Sequence, residues 1–450
     1  MPLKPINTAS RDELYEIGIA DSLIHRLGSM KGFVVRHLSA TRKYADITQD
    51  PIAAGREQQV DYVLASNYQL AGGKIRVTSQ LFNVTSGQIE ETYKSEKDAG
   101  DIFVMQDAIA GEVGNLLLAR FATTLSNPTT KSGTNNEEAY RLYLQGMYLA
   151  DRKNLALAQR AVEVLERAVQ LDPNYAQAWA GKAYAHRAVA NSIGRSVSIH
   201  EDNQKSMEAI NKALSLNENM AEAHSTLCEN KMYYEYDFVG AESACKRAIE
   251  LNPNSPLAHQ IYSRYLVSRG RFDEAIAEIR TAIDLEPASL FYHSLYGINF
   301  YYARRYPEAI AQFKRVIAMD ENFGNPYFWL LMSLAAEGNE SEAFELFMNG
   351  VDFDKADEAT IQAYKRAYQT SGWRGVMQER AKRFEQSDEI YFRGAEFNAQ
   401  AGNKDKAFEY LEKSYQRREM WMAYLQVDPR LDSLRADPRF AELVRRVELK

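Results

Sequence analysis

The sequence is poor in cysteine and has no long apolar run. Its 450 residues contain two cysteines, Cys228 and Cys245, and no Cys-x-x-Cys pair. Neither a disulfide-rich scaffold nor a cysteine-ligated zinc site is therefore indicated. No segment approaches the roughly 18 to 20 uninterrupted apolar residues that a membrane span needs, so we expect no membrane span in this chain.

Motifs for common enzyme chemistry are also missing. No glycine-rich segment ends in Gly-Lys-Ser or Gly-Lys-Thr, so there is no phosphate loop, and no Gly-x-Ser-x-Gly elbow occurs. The formal net charge of −7 opposes binding to a polyanionic backbone. We expect no catalytic residues, no cofactor, no metal site and no nucleic acid binding by this chain.

What the sequence does contain is a large apolar residue that returns at a nearly fixed interval. Its period of roughly 34 residues is typical of a solenoid of helix–turn–helix units. Within one unit, Gly270 ends the first helical pattern and Pro287 ends the second. The recurring positions, of which the first two are more widely spaced than the rest, are Leu171, Leu216, Leu251, Leu285, Met319 and Phe353.

The same units carry small residues at fixed places. One occurs in each first helix, at Gly146, Ala183, Cys228, Ser263 and Gly297. An alanine occurs early in each second helix, at Ala161, Ala241, Ala275, Ala309 and Ala343, and a proline closes three units, at Pro173, Pro253 and Pro287. This pattern resembles the tetratricopeptide repeat family over roughly residues 137–356. The resemblance implies an all-α superhelix that binds a peptide or protein in its concave groove.

We count about eight units over residues 137–422, followed by a C-terminal cap at 423–450. An insertion at Asn191–His200 lengthens the second unit. The seventh unit, residues 357–387, fits the repeat poorly, whereas residues 389–418 fit it again.

Residues 1–124 show a different pattern and are predicted to form an α+β domain, a mixed sheet with packed helices. Strand-like runs occur at Phe33–Leu38, Tyr62–Leu70, Ile75–Val84 and Gln88–Tyr93. Helical patterns occur at Glu13–Met30, Pro51–Gln59 and Asp101–Phe121. Residues 125–136, rich in Asn, Thr, Ser and Gly, are predicted to be a linker.

This first part resembles the TolB amino-terminal-like domain, which precedes tetratricopeptide repeats in CadC-like transcriptional regulators and some bacterial adenylate cyclases. The residues that carry the resemblance are Gly18–Leu23, Val35–Arg36, Ala54–Glu57, Val60–Leu64, Arg76–Leu81, Thr85–Gly87 and Asp101–Asp107. A domain of this type opens on a longer buried strand than Leu3–Ile6, so we expect the sequence to be part of a longer protein. A short edge strand, which tolerates Pro2 and Pro5, is the alternative.

Two small groups of residues have competing interpretations. Cys228 and Cys245 lie on the two helices of one unit and are interpreted as small apolar core residues, with a disulfide as the alternative in an oxidising compartment. His224, His259 and His293 recur at the same place in three consecutive units. Because packed helices lie roughly 8 to 10 Å apart, a packing slot for a flat ring is favoured over a shared metal site. Trp179 and Tyr327 occupy the same slot.

The candidate site is the concave groove, where apolar side chains concentrate in the middle units. We predict that it binds a partner through apolar burial and through arginine contacts to carboxylates. The alternative is that the first domain, the seventh unit or a second copy of the chain covers these residues. The predicted groove residues are Tyr184, Arg187, Leu257, Arg264, Phe291, Ile298, Tyr301, Phe328 and Met332.

These observations predict a non-enzymatic sensory or scaffold protein, the input part of a CadC-like signalling or transcriptional regulator. The alternatives are the regulatory region of a bacterial adenylate cyclase and a free-standing assembly adaptor. The partner is a protein or peptide, and a homo-oligomer is possible. The compartment depends on the kind of protein to which the chain belongs. It is extracytoplasmic for a CadC-like protein and cytoplasmic otherwise.

Overall fold

The protein is described here as a computed structural model that covers two structurally different parts. The described residues are 1–7, 11–12, 14–28, 34–36, 38–98, 102–121, 133–152, 154–191, 199–351, 357–384 and 390–448. A small mixed sheet with helices lies at the N-terminus, and a superhelix of paired helices follows it. Residues 125–132 of the predicted linker lie outside the described residues, as do residues 192–198 of the predicted insertion. No helix among the described residues combines the length and hydropathy required to cross a bilayer.

The N-terminal sheet has four strands in the order β1-β2-β3-β4. These are β1 (Lys4–Pro5), β2 (Tyr62–Ala71), β3 (Lys74–Asn83) and β4 (Ile89–Asp98). β1 is parallel to β2, and the other neighbours are antiparallel, which confirms a mixed sheet. Gly72 and Gly73 form the two-residue turn between β2 and β3 with φ of 58° and 74°, a conformation that glycine adopts without steric cost.

Helices pack against this sheet. They are α1 (Ile19–Gly28), which continues a π-helical turn at Leu14–Gly18, α2 (Leu38–Thr41), α3 (Pro51–Glu57) and α4 (Ile102–Phe121). Ile75, Val77 and Leu81 of β3 are buried in one core with Ile19 and Ile109.

The predicted strand at Phe33–Leu38 is wrong. Residues 34–36 have no regular structure and Leu38 begins α2, while residues 33 and 37 lie outside the described chain. Val35 and Leu38 are instead partly buried against the core of this domain, so their apolar character reflects side-chain burial and not strand pairing.

Eight units of helices form the second part of the described chain. Units 1 to 4 are α5 (Glu137–Ala150) with α6 (Leu155–Leu171), α7 (Ala176–Ala190) with α8 (Ile199–Leu216), α9 (Ala221–Asn230) with α10 (Phe238–Leu251), and α11 (Pro256–Ser268) with α12 (Phe272–Leu285). Units 5 to 8 are α13 (Leu290–Tyr302) with α14 (Tyr306–Met319), α15 (Asn325–Glu337) with α16 (Glu340–Leu346), α17 (Glu358–Phe384), and α18 (Tyr391–Ala401) with α19 (Lys404–Gln416). This is the architecture of a tetratricopeptide superhelix.

Unit 7 departs from the others because α17 contains its own break. Ser371 and Gly372 have non-helical backbone angles inside it, and Gly372 has a φ of 59°. The Glu340 carboxylate accepts a hydrogen bond of 2.9 Å from the backbone N–H of Trp373, directly after the break. The second half of α17 therefore begins as a new helix.

Small residues hold the two helices of each unit together. Gly297 of α13 is buried against α14, where an added Cβ would lie 2.5 Å from the Phe313 ring. Its alanine counterparts on the second helices, Ala275 and Ala309, are fully buried. These small residues therefore allow the two helices of a unit to approach closely.

The ring slot predicted at the repeated histidines is also confirmed, and it has a polar function. In each case the ring donor lies 2.9 Å from the backbone carbonyl six residues earlier, in the turn that enters the helix. The pairs are Trp179 with Pro173, His224 with Glu218, His259 with Pro253, His293 with Pro287 and Tyr327 with Glu321. A carbonyl that would otherwise lack a partner is thereby satisfied at every one of these unit boundaries.

Cys228 of α9 and Cys245 of α10 form a disulfide. Both are buried, as the core interpretation expected, but they are covalently joined. The sequence had left a disulfide open as the alternative interpretation, and the structure contains that disulfide.

We expect Gly297→Ala to lower the free energy of unfolding by at least about 1 kcal/mol, because the new methyl group overpacks the Phe313 ring. Gly324→Ala is the matched control, since its Cβ would meet nothing within 4 Å. Urea unfolding followed by circular dichroism measures both variants. Equal stability of the two would contradict the packing described.

Reduction of the disulfide should cost about 3 kcal/mol of unfolding free energy, because the bond closes a loop of 17 residues in the unfolded chain. The measurement is urea unfolding with and without a thiol reductant. Cys228→Ala/Cys245→Ala serves as a control that must show no response to the reductant. An unchanged wild-type midpoint would indicate that no disulfide forms.

Candidate binding site on the concave face

The first helices of the units line the inner face of the superhelix. Contacts run in succession from α5 to α7, α7 to α9, α9 to α11, α11 to α13 and α13 to α15. Equivalent positions on these helices therefore form continuous rows, and the predicted groove residues lie on such rows. Two other parts of the chain border this face, one at each edge.

The C-terminal segment borders the edge where the first helices end. It consists of 3-10 turns at Met420–Tyr424 and Pro429–Leu434 and of α20 (Pro438–Glu448). The hydroxyl of Tyr424 lies 2.8 Å from that of Tyr233, which follows α9. Its ring stacks on Tyr302 of α13, with centroids 5.4 Å apart. The predicted C-terminal cap, residues 423–450, thus packs against the middle units as well as against unit 8.

Unit 8 returns to unit 3 at the same edge. The rings of Tyr236 and Tyr415 stack with centroids 6.3 Å apart, and Arg418 donates a hydrogen bond to the Tyr234 carbonyl. Units 3 to 8 therefore curl into a closed turn, with the C-terminal segment on the inside.

A buried charged group fixes the C-terminal segment to unit 8. Arg430 contacts Asp428 at 2.6 Å and Glu396 of α18 at 2.9 Å. Its guanidinium also lies 5.3 Å from the Trp329 ring centre in unit 6. Burial raises the pKa of Glu396 to about 7, although Arg430 opposes the rise. Asp428 and Glu396 are both buried, and the single charge of Arg430 can neutralise only one of the two carboxylates.

The N-terminal domain borders the opposite edge. Arg141 of α5 donates two hydrogen bonds to the Asp12 carboxylate, at 3.2 and 3.0 Å. Arg36 donates to the carbonyls of Gln58 and Gln59 in its own domain and to that of Asp284, near the end of α12. The end of a helix carries partial negative charge, which favours a guanidinium there. The domain therefore contacts both unit 1 and unit 4.

The nine predicted groove residues are less accessible than the sequence suggested. Arg187, Tyr301 and Met332 are buried, with exposures of 2%, 1% and 5%. The partly buried members are Tyr184, Leu257, Arg264, Phe291, Ile298 and Phe328. At the edge near Tyr301 the covering element is the C-terminal segment, which was not among the alternatives that the sequence suggested.

A polar cluster lies in the middle of the face. The guanidinium groups of Arg187 and Arg264 lie 5.1 and 5.0 Å from the centre of the Tyr233 ring. Arg264 also contacts Glu229 at 3.3 Å. Burial raises the pKa of Tyr233 well above its usual value, so its hydroxyl stays protonated. Sequence reasoning selected both arginines as binding residues but neither Glu229 nor Tyr233, although Glu229 occupies the position of Arg264 in the preceding unit.

Unpartnered polar atoms mark this part of the face. The described chain supplies no hydrogen-bond partner for Nε and Nη2 of Arg187, Nε2 of Gln260 or Oγ of Ser294, and all are buried. Gln260 and Ser294 are one repeat apart in the sequence and so occupy the same row on α11 and α13. Across the described ranges, no group of three or more His, Cys, Asp or Glu side chains is arranged to hold a metal ion.

No family model matches the chain. A putative adenylate cyclase 3 of Rhizobium meliloti (strain 1021) is 26% identical over 163 residues, which make up 36% of this chain and 28% of that protein. The chain thus corresponds to less than a third of that relative's length.

Among solved structures, the type IV pilus biogenesis factor PilW is 17% identical with a TM-score of 0.40, covering 50% of this chain and 97% of PilW. The human IFIT1 dimer with m7Gppp-AAAA is 15% identical with a TM-score of 0.46, covering 70% of this chain and 80% of that one. At these scores neither likeness carries an argument about function.

The free energy of unfolding should fall as the pH rises, because buried Glu396 then loses its proton. Its pKa lies near 7 when folded, above the ordinary value of 4.5, so its contribution is complete below pH 4.5 and is lost as pH rises to about 7. We expect wild type to lose up to about 3 kcal/mol between pH 5 and pH 8 relative to Glu396→Gln, which stays neutral. Urea unfolding at several pH values tests this, and parallel profiles for the two proteins would refute it.

Proposed function

We propose that this chain is a non-enzymatic binding protein that takes a peptide or protein on the concave face, between the N-terminal domain and the C-terminal segment. The observation that carries the proposal is the set of buried, unpartnered polar atoms of Arg187, Gln260 and Ser294. Buried polar groups are normally paired. A ligand that supplies the missing partners accounts for their presence on one face.

The partly buried apolar side chains on the same face support a peptide-sized occupant. Leu257 and Phe291 lie at the starts of α11 and α13, and Ile298 lies one turn from the covered edge. Burying a few such side chains contributes roughly 25 cal/mol per Å², enough for micromolar binding. Tyr301 and Met332 are excluded from this surface because the chain already covers them.

We further propose that the chain is the input part of a larger signalling protein of the CadC-like kind, outside the cytoplasm. The order of an α+β domain before helical repeats supports this, as does the resemblance of residues 18–107. The disulfide supports the compartment, because such bonds persist mainly in oxidising surroundings.

A regulatory region of an adenylate cyclase is the second candidate, favoured by the match to the Rhizobium meliloti protein. To test this candidate, the segment of the Rhizobium meliloti protein that matches this chain is replaced by the chain. Cyclase activity that responds to a ligand of the concave face would support this assignment.

Affinity selection with a degenerate hexapeptide library on the immobilised full chain tests peptide binding directly. We expect enrichment of defined sequences over blank resin. Leu257→Ser and Ile298→Ser should each weaken binding of a selected peptide by about tenfold, the equivalent of about 1.4 kcal/mol of lost apolar contact.

Val239→Ser is the matched control, because Val239 is 84% exposed on a second helix. It should bind as tightly as wild type, and circular dichroism should show that all variants fold. Absence of enrichment, or equal affinity of all three variants, would overturn the proposed function.

A further inference from the structure

Arg187 has one hydrogen-bonding edge occupied and one empty. Its Nη1 donates to the side-chain oxygen of Asn203 on α8. Its Nε and Nη2 find no partner in the part of the chain that the structure describes, although the residue is only 2% exposed. An arginine guanidinium remains charged in proteins. A buried cation whose two parallel N–H groups have no partner among the described residues is a strong hydrogen-bond donor that can bind an acceptor.

Elsewhere in this protein the same edge of arginine holds a carboxylate. Arg271 donates from Nε and Nη2 to the two oxygens of Glu274, at 2.7 and 2.6 Å. Arg430 does so to Asp428, at 2.9 and 2.6 Å. Planar carboxylates match this pair of donors in spacing and direction. Arg187 presents the identical pair without the acid.

The orientation of the empty edge is fixed before any ligand arrives. Asn203 holds the opposite edge, and the Tyr233 ring supports the guanidinium plane, with 5.1 Å to its centre. Tyr233 is itself held by the hydroxyl of Tyr424 in the C-terminal segment. A ligand therefore finds the donors already placed, which lowers the entropy cost of binding.

The charged groups around Arg187 favour a ligand group that carries a single negative charge. The charged groups that act on Arg187 are Glu229 and Arg264, and Glu229 is paired with Arg264. Two cations and one carboxylate leave one positive charge without a counterion. A monoanionic carboxylate balances it, whereas a phosphate dianion would leave an excess negative charge beside Glu229.

We infer that Arg187 is the receptor for a carboxylate of the ligand, bound through Nε and Nη2. The identity of the occupant as a peptide rests on the proposed function, whereas the carboxylate contact does not. The carboxylate belongs either to the C-terminus or an acidic side chain of a peptide, or to a free organic acid.

Arginine Nε–H resonances of the ¹⁵N-labelled full chain test the contact itself. Sodium acetate and sodium propionate, both monoanions, are the probes, and sodium chloride is the control for ionic strength. We expect one Nε–H resonance, absent in Arg187→Lys, to shift with either acid and not with chloride. If Arg187→Lys does not fold by circular dichroism, Arg187→Gln supplies the assignment. No acid-dependent shift of that resonance would overturn the inference.

The hexapeptide library identifies the source of the carboxylate. It is used once with free C-termini and once amidated, and each peptide selected from either form is assayed against wild type, Arg187→Lys and Arg271→Lys. We expect Arg187→Lys to bind at least tenfold more weakly and Arg271→Lys, whose donors Glu274 already occupies, to bind unchanged. Loss of binding on amidation identifies the C-terminus, and retention with Arg187 dependence identifies an acidic side chain.

The remaining outcomes separate the two proposals. Peptides that bind without dependence on Arg187 would leave the proposed function standing and refute the carboxylate receptor. An acetate or propionate shift at Arg187 without any selected peptide would support the receptor with a free organic acid and refute peptide binding. Displacement of propionate by inorganic phosphate at a lower concentration than by acetate would contradict the charge argument and the inference with it.

Discussion

The packing of Tyr424 between Tyr233 and Tyr302 is the contact on which the arrangement of the helical part depends. It joins the C-terminal segment to units 3 and 5, which lie far before it in the sequence. In a repeat protein each unit normally contacts only its neighbours, and stability is close to a sum over units. Here the end of the described chain ties distant units together, so the curvature of units 3 to 8 is fixed by a tertiary contact.

This closure divides the concave face into two regions with different physical character. Beside the C-terminal segment, Tyr301 and Trp329 are core residues. In the middle of the face, Arg187 and Gln260 retain unpartnered polar atoms. The C-terminal segment, which covers the groove near Tyr301, also contacts Tyr233. Both groove arginines stack on that ring. Closure and the proposed ligand recognition are therefore linked through the Tyr233 ring.

The repeats could be predicted from sequence because their determinants are local and periodic. The pairing of a small residue with a large one returns in more than one unit, as in Gly146 with Leu165 and Gly297 with Phe313, and leaves little freedom in how the two helices pack. The ring slot was recognised for the same reason, but its hydrogen bond was missed. The available signal was a turn residue always six positions before the ring, as in Pro287 and His293.

The closure and much of the site could not be predicted in this way. Tyr424 contacts Tyr233 across 191 positions of sequence, and no period or motif connects two such residues. Glu229 was not selected as a binding residue because the prediction was built on apolar side chains and arginines, whereas its role comes from the ion pair that it forms with Arg264 of the next unit. The strand expected at Phe33–Leu38 failed because an apolar run shows that residues prefer burial and does not say which neighbour is free to pair with them.

Hydrogen exchange of the full chain, read by mass spectrometry, tests the closure most directly. The account predicts that residues 420–434 exchange as slowly as the first helices of units 4 and 5. It also predicts that Tyr424→Ala accelerates exchange both there and at residues 231–236, while units 1 and 2 remain unchanged. Rapid exchange of residues 420–434 in the wild-type protein, or no effect of Tyr424→Ala on residues 231–236, would contradict it.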